Sequence, residues 1–126
     1  MKKKILIIDD DKVYTELVKA ILERTGKYEV GVENRGLHGL GTAKRFKPDL
    51  ILMDIMMPHT DGFQIMKLLK NDLDTISIPI IMLSAVDSDE SKTAAAASFN
   101  EDYIVKPIAA EALEKKIEEV LNRYTA

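Results

Sequence analysis

Four short apolar runs punctuate the chain, and each stops on a polar residue. Ile5-Leu6-Ile7-Ile8 runs into Asp9-Asp10-Asp11, and Leu50-Ile51-Leu52-Met53 runs into Asp54. Ile80-Ile81-Met82-Leu83 meets Ser84, and Tyr103-Ile104-Val105 meets Lys106-Pro107. Longer amphipathic stretches lie between, the alternation of an α/β domain built on a parallel sheet. The pattern predicts strands at 4–9, 28–33, 49–54, 78–84 and 102–106. The first, third and fourth are apolar at nearly every position, as in strands covered on both faces. Tyr28-Glu29-Val30-Gly31-Val32-Glu33 alternates instead, which suits a sheet edge.

Five helices are expected between and after these strands. Over 11–25, Val13, Leu17, Ala20 and Ile21 fall on one face, and Gly26 closes the segment. The second covers 36–46, although Gly39 and Gly41 each cost about 1 kcal/mol relative to Ala. The third begins at Asp61-Gly62 and carries Ile65, Leu68 and Leu69. The fourth, 87–99, has acidic residues in its first turn and four alanines at 94–97, so it should be loosely anchored. The last, 109–124, places Leu113, Ile117, Val120, Leu121 and Tyr124 on an apolar stripe.

Five β-α units of this kind predict a three-layer sandwich with strand order 2-1-3-4-5 and right-handed crossovers. In that order the winding reverses between strands one and three, and ligands bind at the carboxyl edge beside the reversal. Asp9, Asp10 and Asp54 end those two strands. The order thus brings three carboxylates, a hydroxyl and an ammonium to one edge.

Bulk properties narrow the classes. A chain of 126 residues is one ordinary domain, expected to span 1–126. A net charge of −3 argues against direct nucleic-acid binding. The absence of cysteine excludes disulfides, thiolate metal sites and thiol nucleophiles. Lys2-Lys3-Lys4 precede an apolar run of only four residues that stops at aspartates, unlike a signal peptide. No apolar run is long enough to span a bilayer, and a cytoplasmic location is expected.

Three carboxylates brought together repel one another unless a cation offsets them. Hard oxygen donors with a hydrated open side suit Mg²⁺, or Mn²⁺ in its place. Asp10 and Asp54 are the expected ligands, with Asp9 acting through water and the Met56 carbonyl, two residues past Asp54, as a further donor. The competing reading is that Asp9-Asp10-Asp11 only caps the first helix, and for Asp11 that is the better explanation. Asp54 is the candidate nucleophile, since a carboxylate can attack phosphorus to give an acyl phosphate. Such transfer needs cations around the equatorial oxygens. Lys106 offers one as a mobile point charge, and the Ser84 hydroxyl offers a hydrogen bond. Either could instead be an ordinary residue at a strand end. Pro58 stiffens the loop that follows Asp54, and a lone His59 there is more often without a catalytic role.

The order Asp9-Asp10, Met53-Asp54-Ile55-Met56-Met57-Pro58, Asp61-Gly62, Ser84-Ala85 and Tyr103-x-x-Lys106-Pro107 resembles the receiver domain of bacterial response regulators. The resemblance covers essentially the whole chain. It implies a flavodoxin-like (βα)5 fold and phosphorylation of Asp54 by a histidine kinase or phosphotransfer protein. It also implies a Ser84–Tyr103 switch pair, a cis Lys106-Pro107 peptide, and an output face made of the fourth helix, last strand and last helix. That face would serve an effector, or a homodimer. Met56 and Val86 occupy positions that tune phosphoryl lifetime in this family. Both are apolar and cannot orient water, so slow self-dephosphorylation is expected.

Some features depart from the family pattern. Ser98-Phe99-Asn100 stands where a small turn usually precedes the last strand, and Asn100 could supply its left-handed cap. A haloacid-dehalogenase-like phosphatase would need a second acid two residues after Asp54, where Met56 stands. A flavodoxin-like cofactor binder is disfavoured by the lack of a P-loop or Gly-x-Gly-x-x-Gly motif. A stand-alone receiver and a receiver within a longer regulator fit the sequence equally.

Overall fold

The computed structural model describes residues 1–85 and 102–124. Five strands form one parallel sheet: β1 (Lys3–Ile8), β2 (Tyr28–Glu33), β3 (Leu50–Asp54), β4 (Ile80–Ser84) and β5 (Asp102–Val105). Their order is β2-β1-β3-β4-β5, as the alternation of runs predicts, with the alternating strand β2 at the edge.

Period-two alternation divides the core. Ile5, Ile7, Leu50, Leu52, Ile81, Leu83 and Ile104 point to one face. There they meet Val18 and Leu22 of α1 (Lys12–Arg24) and Leu113, Ile117 and Val120 of the C-terminal helix (Ala110–Asn122). Leu6, Ile8, Ile51, Met53, Ile80 and Met82 point to the other face. They meet Ala43 of α2 (Gly39–Phe46) and Ile65, Met66 and Leu69 of α3 (Gly62–Lys70). These side chains are essentially withdrawn from water. Each buried Leu or Ile contributes about 1.5–3 kcal/mol.

The pairing register sets the functional edge. Ile8 pairs with Met53, Asp54 with Leu83, and Ser84 with Val105. Asp9 therefore lies level with Asp54, and Ser84 and Lys106 each sit one step beyond their neighbour. Backbone bonds extend the ladder past the strand ends: Asp9 N–H to Glu33 O at 3.0 Å, Ile55 N–H to Leu83 O at 2.9 Å, and Lys106 N–H to Ser84 O at 2.7 Å.

Several elements differ from expectation. On α1 the inward residues are Thr15, Val18 and Leu22, whereas Val13 and Leu17 are 81% and 55% exposed, Ala20 is exposed and Ile21 half-buried. The reason is Thr15: its hydroxyl donates to Lys12 O at 3.1 Å and accepts from Asn34 Nδ2 at 3.1 Å. A polar residue with satisfied bonds occupies the core face and shifts the stripe. On α3, Met66 takes the inward position expected for Leu68, which is half exposed. Tyr124 lies past the end of the last helix and is also half exposed.

The expected second helix is a 3-10 turn (Gly36–His38) followed by α2. Gly39 has a packing reason, because a Cβ there would stand 3.0 Å from Ile65 Cγ2 and 3.1 Å from Ile8 Cδ1. Nothing in the structure explains Gly41. A two-residue antiparallel ribbon, Met56–Met57 with Thr60–Asp61, follows β3 and turns through His59 at φ 68°. The predicted helix 87–99, Val86 and the turn at Asn100 lie outside the described residues.

Candidate functional site

The three aspartates after β1 take three different environments. Asp11 caps α1, its Oδ1 accepting the Tyr14 N–H at 3.0 Å. Asp10 is exposed at the edge. Asp9 is fully buried, with Oδ1 accepting the Asp11 N–H at 3.0 Å and Oδ2 accepting from Lys106 Nζ at 2.6 Å. Helix capping by side chain thus belongs to Asp11 within this triplet. Asn34 secures the segment from behind by donating to the Asp9 carbonyl at 2.8 Å as well as to Thr15.

Asp54 ends β3 and is 5% exposed. The chain after it must turn sharply into α3, and Gly62 makes this possible. Gly62 N–H donates to Ile55 O at 2.7 Å, and a Cβ on Gly62 would collide with the Asp54 carbonyl. Asp61 caps α3 by accepting the Gln64 N–H at 2.9 Å.

The carboxylates of Asp9, Asp10 and Asp54 place oxygens within 4.8 Å of one another. Lys106 Nζ is 3.4 Å from Asp54 Oδ1 as well as bonded to Asp9. The Lys106-Pro107 peptide is cis, as the motif implies. Burial pushes the Asp54 carboxyl up to about 7, and the negative charge of Asp9 adds to this while Lys106 opposes it. Burial pulls the Lys106 ammonium down, but the Asp9 hydrogen bond and the charges of Asp54 and Asp9 outweigh it, and the net shift is upward.

Three carboxylates facing one ammonium leave two negative charges uncompensated when all are ionised. That deficit matches a divalent cation, and the all-oxygen donor set suits a hard one such as Mg²⁺ or Mn²⁺.

Ser84 is buried at the end of β4. Tyr103 is half-buried on β5, opposite Met82, and packs on the α2–α3 side of the core. Met56 begins the ribbon beside Asp54 with its side chain exposed. His59 stands outside the acid cluster, lining a cavity of about 280 Å³ with Asp10, Arg35 and His38. Sequence reasoning missed Asn34 and Tyr14. The Tyr14 ring centroid lies 4.7 Å from Lys106 Nζ, and its spacing of four from Asp10 on a predicted helix start could have placed it at this edge.

The site is thus a set of acids, a hydroxyl and a lysine converging at the carboxyl edge of a parallel five-stranded sheet. Residues 5–118 match the family model of the response regulator receiver domain. PilH of Pseudomonas aeruginosa is 37% identical over 94% of this chain and 97% of its own length. The DNA-binding dual master transcriptional regulator RpaA of a Synechocystis strain is 37% identical over 95% of this chain but 49% of its own length. The chain therefore spans nearly all of one curated relative and about half of another. Among solved structures, a two-component response regulator from Clostridium difficile superposes with a TM-score of 0.90 at 30% identity, covering 99% of this chain and 100% of that one. The chemotaxis protein CheY4 of Vibrio cholerae gives 0.88 at 30% identity, over 95% and 99%. The chain belongs to the response-regulator receiver family of two-component signalling, with its flavodoxin-like fold.

Proposed function

We propose that residues 1–126 act as one receiver that accepts a phosphoryl group on Asp54 from a histidine kinase or phosphotransfer protein. The observation carrying this reading is the buried Asp54 carboxylate with Lys106 Nζ at 3.4 Å and two further carboxylates within 4.8 Å. An Asp54 oxygen attacks the phosphorus of a phosphohistidine. The O–P bond forms as the P–N bond breaks, and the departing electron pair stays on the imidazole nitrogen, which takes up a proton. Lys106 neutralises charge on the transferring oxygens, and the Ser84 hydroxyl donates to one of them.

Asp10, Asp54 and the Met56 carbonyl would hold Mg²⁺ or Mn²⁺. Asp9, whose two oxygens already have protein partners, would act through water. When bound, the cation supplies the positive charge the cluster lacks. The phosphorylated site then draws Ser84 toward it and Tyr103 follows, changing the face used by an effector. Such a ligand shifts the equilibrium only by its differential affinity for the two states. Exposed Val13 and Leu17, in the turns of α1 that follow Asp10, offer apolar contact to the donor protein.

Mass spectrometry after exposure to a small phosphodonor with Mg²⁺ tests the reading. The wild type should gain one phosphoryl group and Asp54→Asn none. No gain in the wild type, or equal gain in both, overturns it.

A further inference from the structure

Tyr14 is the one aromatic ring found over the Lys106 ammonium among the described residues, at 4.7 Å from centroid to Nζ. Its place is fixed from two sides. Its N–H is held by the Asp11 cap, and its ring packs partly against the core under α1. Its hydroxyl is buried and has no hydrogen-bond partner among the described residues. A hydroxyl without a partner is a cost and not a contact. What Tyr14 offers the site is therefore its ring face.

A lysine carries four rotatable bonds, and an ammonium between two carboxylates has more than one favourable position. Lys106 has Asp9 at 2.6 Å, Asp54 at 3.4 Å and the Tyr14 face on a further side. A desolvated cation over a π face is held there by the ring quadrupole without giving up a hydrogen-bond donor. The ring can thus confine the ammonium near Asp54 while leaving its N–H groups for an incoming anion. A third carboxylate in that place would instead tie the lysine down.

We propose that Tyr14 is a positioning residue for phosphoryl transfer, its ring holding the Lys106 ammonium within reach of Asp54. This rests on the reading of Asp54 as phosphoacceptor. The consequence for substitution is specific. Phenylalanine keeps the face and removes the orphan hydroxyl, whereas leucine keeps the bulk and removes the face.

The test measures the rate of acyl-phosphate formation from phosphoramidate with Mg²⁺, together with the proton shifts of the Lys106 ε-methylene. Tyr14→Leu should slow formation by about three- to thirtyfold, the range of a desolvated cation–π contact. Tyr14→Phe should restore most of the rate. The Lys106 ε-methylene protons should lie upfield of those of Lys116 in the wild type and in Tyr14→Phe, and lose that displacement in Tyr14→Leu. A purely structural role would slow Lys106→Met further when Tyr14→Leu is added, whereas positioning through Lys106 leaves Tyr14→Leu nearly silent in the Lys106→Met background. Tyr14→Leu at the wild-type rate overturns the proposal, and so does Tyr14→Phe as slow as Tyr14→Leu, which would make the hydroxyl the operative group. If Tyr14→Leu fails to fold, the wild-type spectrum decides, since no upfield displacement there also overturns it. A wild type that takes up no phosphoryl group defeats the Asp54 reading instead, while the ring-current shift still reports on Tyr14.

Discussion

Lys106 makes its short contact, 2.6 Å, with Asp9 rather than with Asp54, which lies at 3.4 Å. The resting ammonium is bonded to a neighbour of the proposed reacting carboxylate. Asp9 is fully buried, so the lysine also holds a charge that could not otherwise remain there cheaply. The same group is thus asked to stabilise the fold and to serve the chemistry.

Lys106→Met should separate these two duties. Removing one member of a buried pair strands the other, and a loss of about 3 kcal/mol is expected at pH 8. At pH 5 the loss should be smaller, because Asp54, already raised to about 7, is protonated and repels Asp9 less. Urea unfolding at both pH values measures this. Equal losses would show that Lys106 contributes through packing. Phosphorylation of the same variant should fall by at least about tenfold, the value of one charge-assisted contact in the transition state.

The raised Asp54 carboxyl gives stability a pH slope of definite sign. The folded state keeps the Asp54 proton up to about pH 7, whereas the unfolded chain releases it near 3.8. Between those values the native state binds more protons, so stability falls as pH rises through the window. In EDTA, Asp54→Asn should therefore be more stable than the wild type at pH 8, by about 1–3 kcal/mol, and equal to it below pH 4. Mg²⁺ should raise the Tm of the wild type at pH 8 and raise that of Asp54→Asn much less. Thermal melts across this range decide the matter. A wild type whose stability rises between pH 4 and 7 would contradict the burial argument.

The sheet was legible in the sequence because its strands are covered on both faces, and a continuous apolar run ending in a turn has few other readings. The convergence of the candidate residues was legible too, since topology brings the ends of β1, β3, β4 and β5 together. Helix faces were harder to read. Val13 and Leu17 look like core residues until Thr15 is seen to bury its hydroxyl against Asn34. That bond joins residues 19 apart and leaves no mark on local periodicity. Tyr14 carries no local signal, because its partner, Lys106, lies 92 residues further along the chain. By propensity Gly39 is a weak helix residue, although its value lies in close approach to Ile8 and Ile65.

Gly62 lies so close to Asp54 that a methyl group must displace the acceptor strand. The obstacle is the Asp54 backbone carbonyl and not a flexible side chain, so relief requires moving the residue proposed to accept the phosphoryl group. Gly62→Ala should cost about 1–3 kcal/mol, the usual range of overpacking. It should also slow phosphorylation more than Gly41→Ala does, since a Cβ on Gly41 would meet the flexible end of the Arg45 side chain. Gly41→Ala, on the exposed side of α2, should stabilise by about 1 kcal/mol. Chemical denaturation and phosphorylation of the two variants side by side check both expectations. A Gly62→Ala protein with wild-type stability and rate would show that the turn absorbs the methyl elsewhere.

Met56 bears on how long a phosphoryl group would persist on Asp54. Loss to solvent needs a water aligned with the phosphorus, and the residue two beyond Asp54 begins the ribbon beside it. The Met56 side chain is 69% exposed, yet its thioether is a weak acceptor and no donor. A water there receives little orientation from it, so phosphate loss should be slow. Met56→Asn introduces both donor and acceptor and should shorten the lifetime by about tenfold, the value of one hydrogen bond gained in the transition state. Met56→Leu keeps an apolar side chain and should leave the lifetime unchanged. Val86→Glu, at the other apolar position, should also accelerate loss. Timing the decay of labelled acyl phosphate compares all three with the wild type. If neither polar variant is faster, water access is controlled by some other group, and the apolar character of Met56 and Val86 has no part in it.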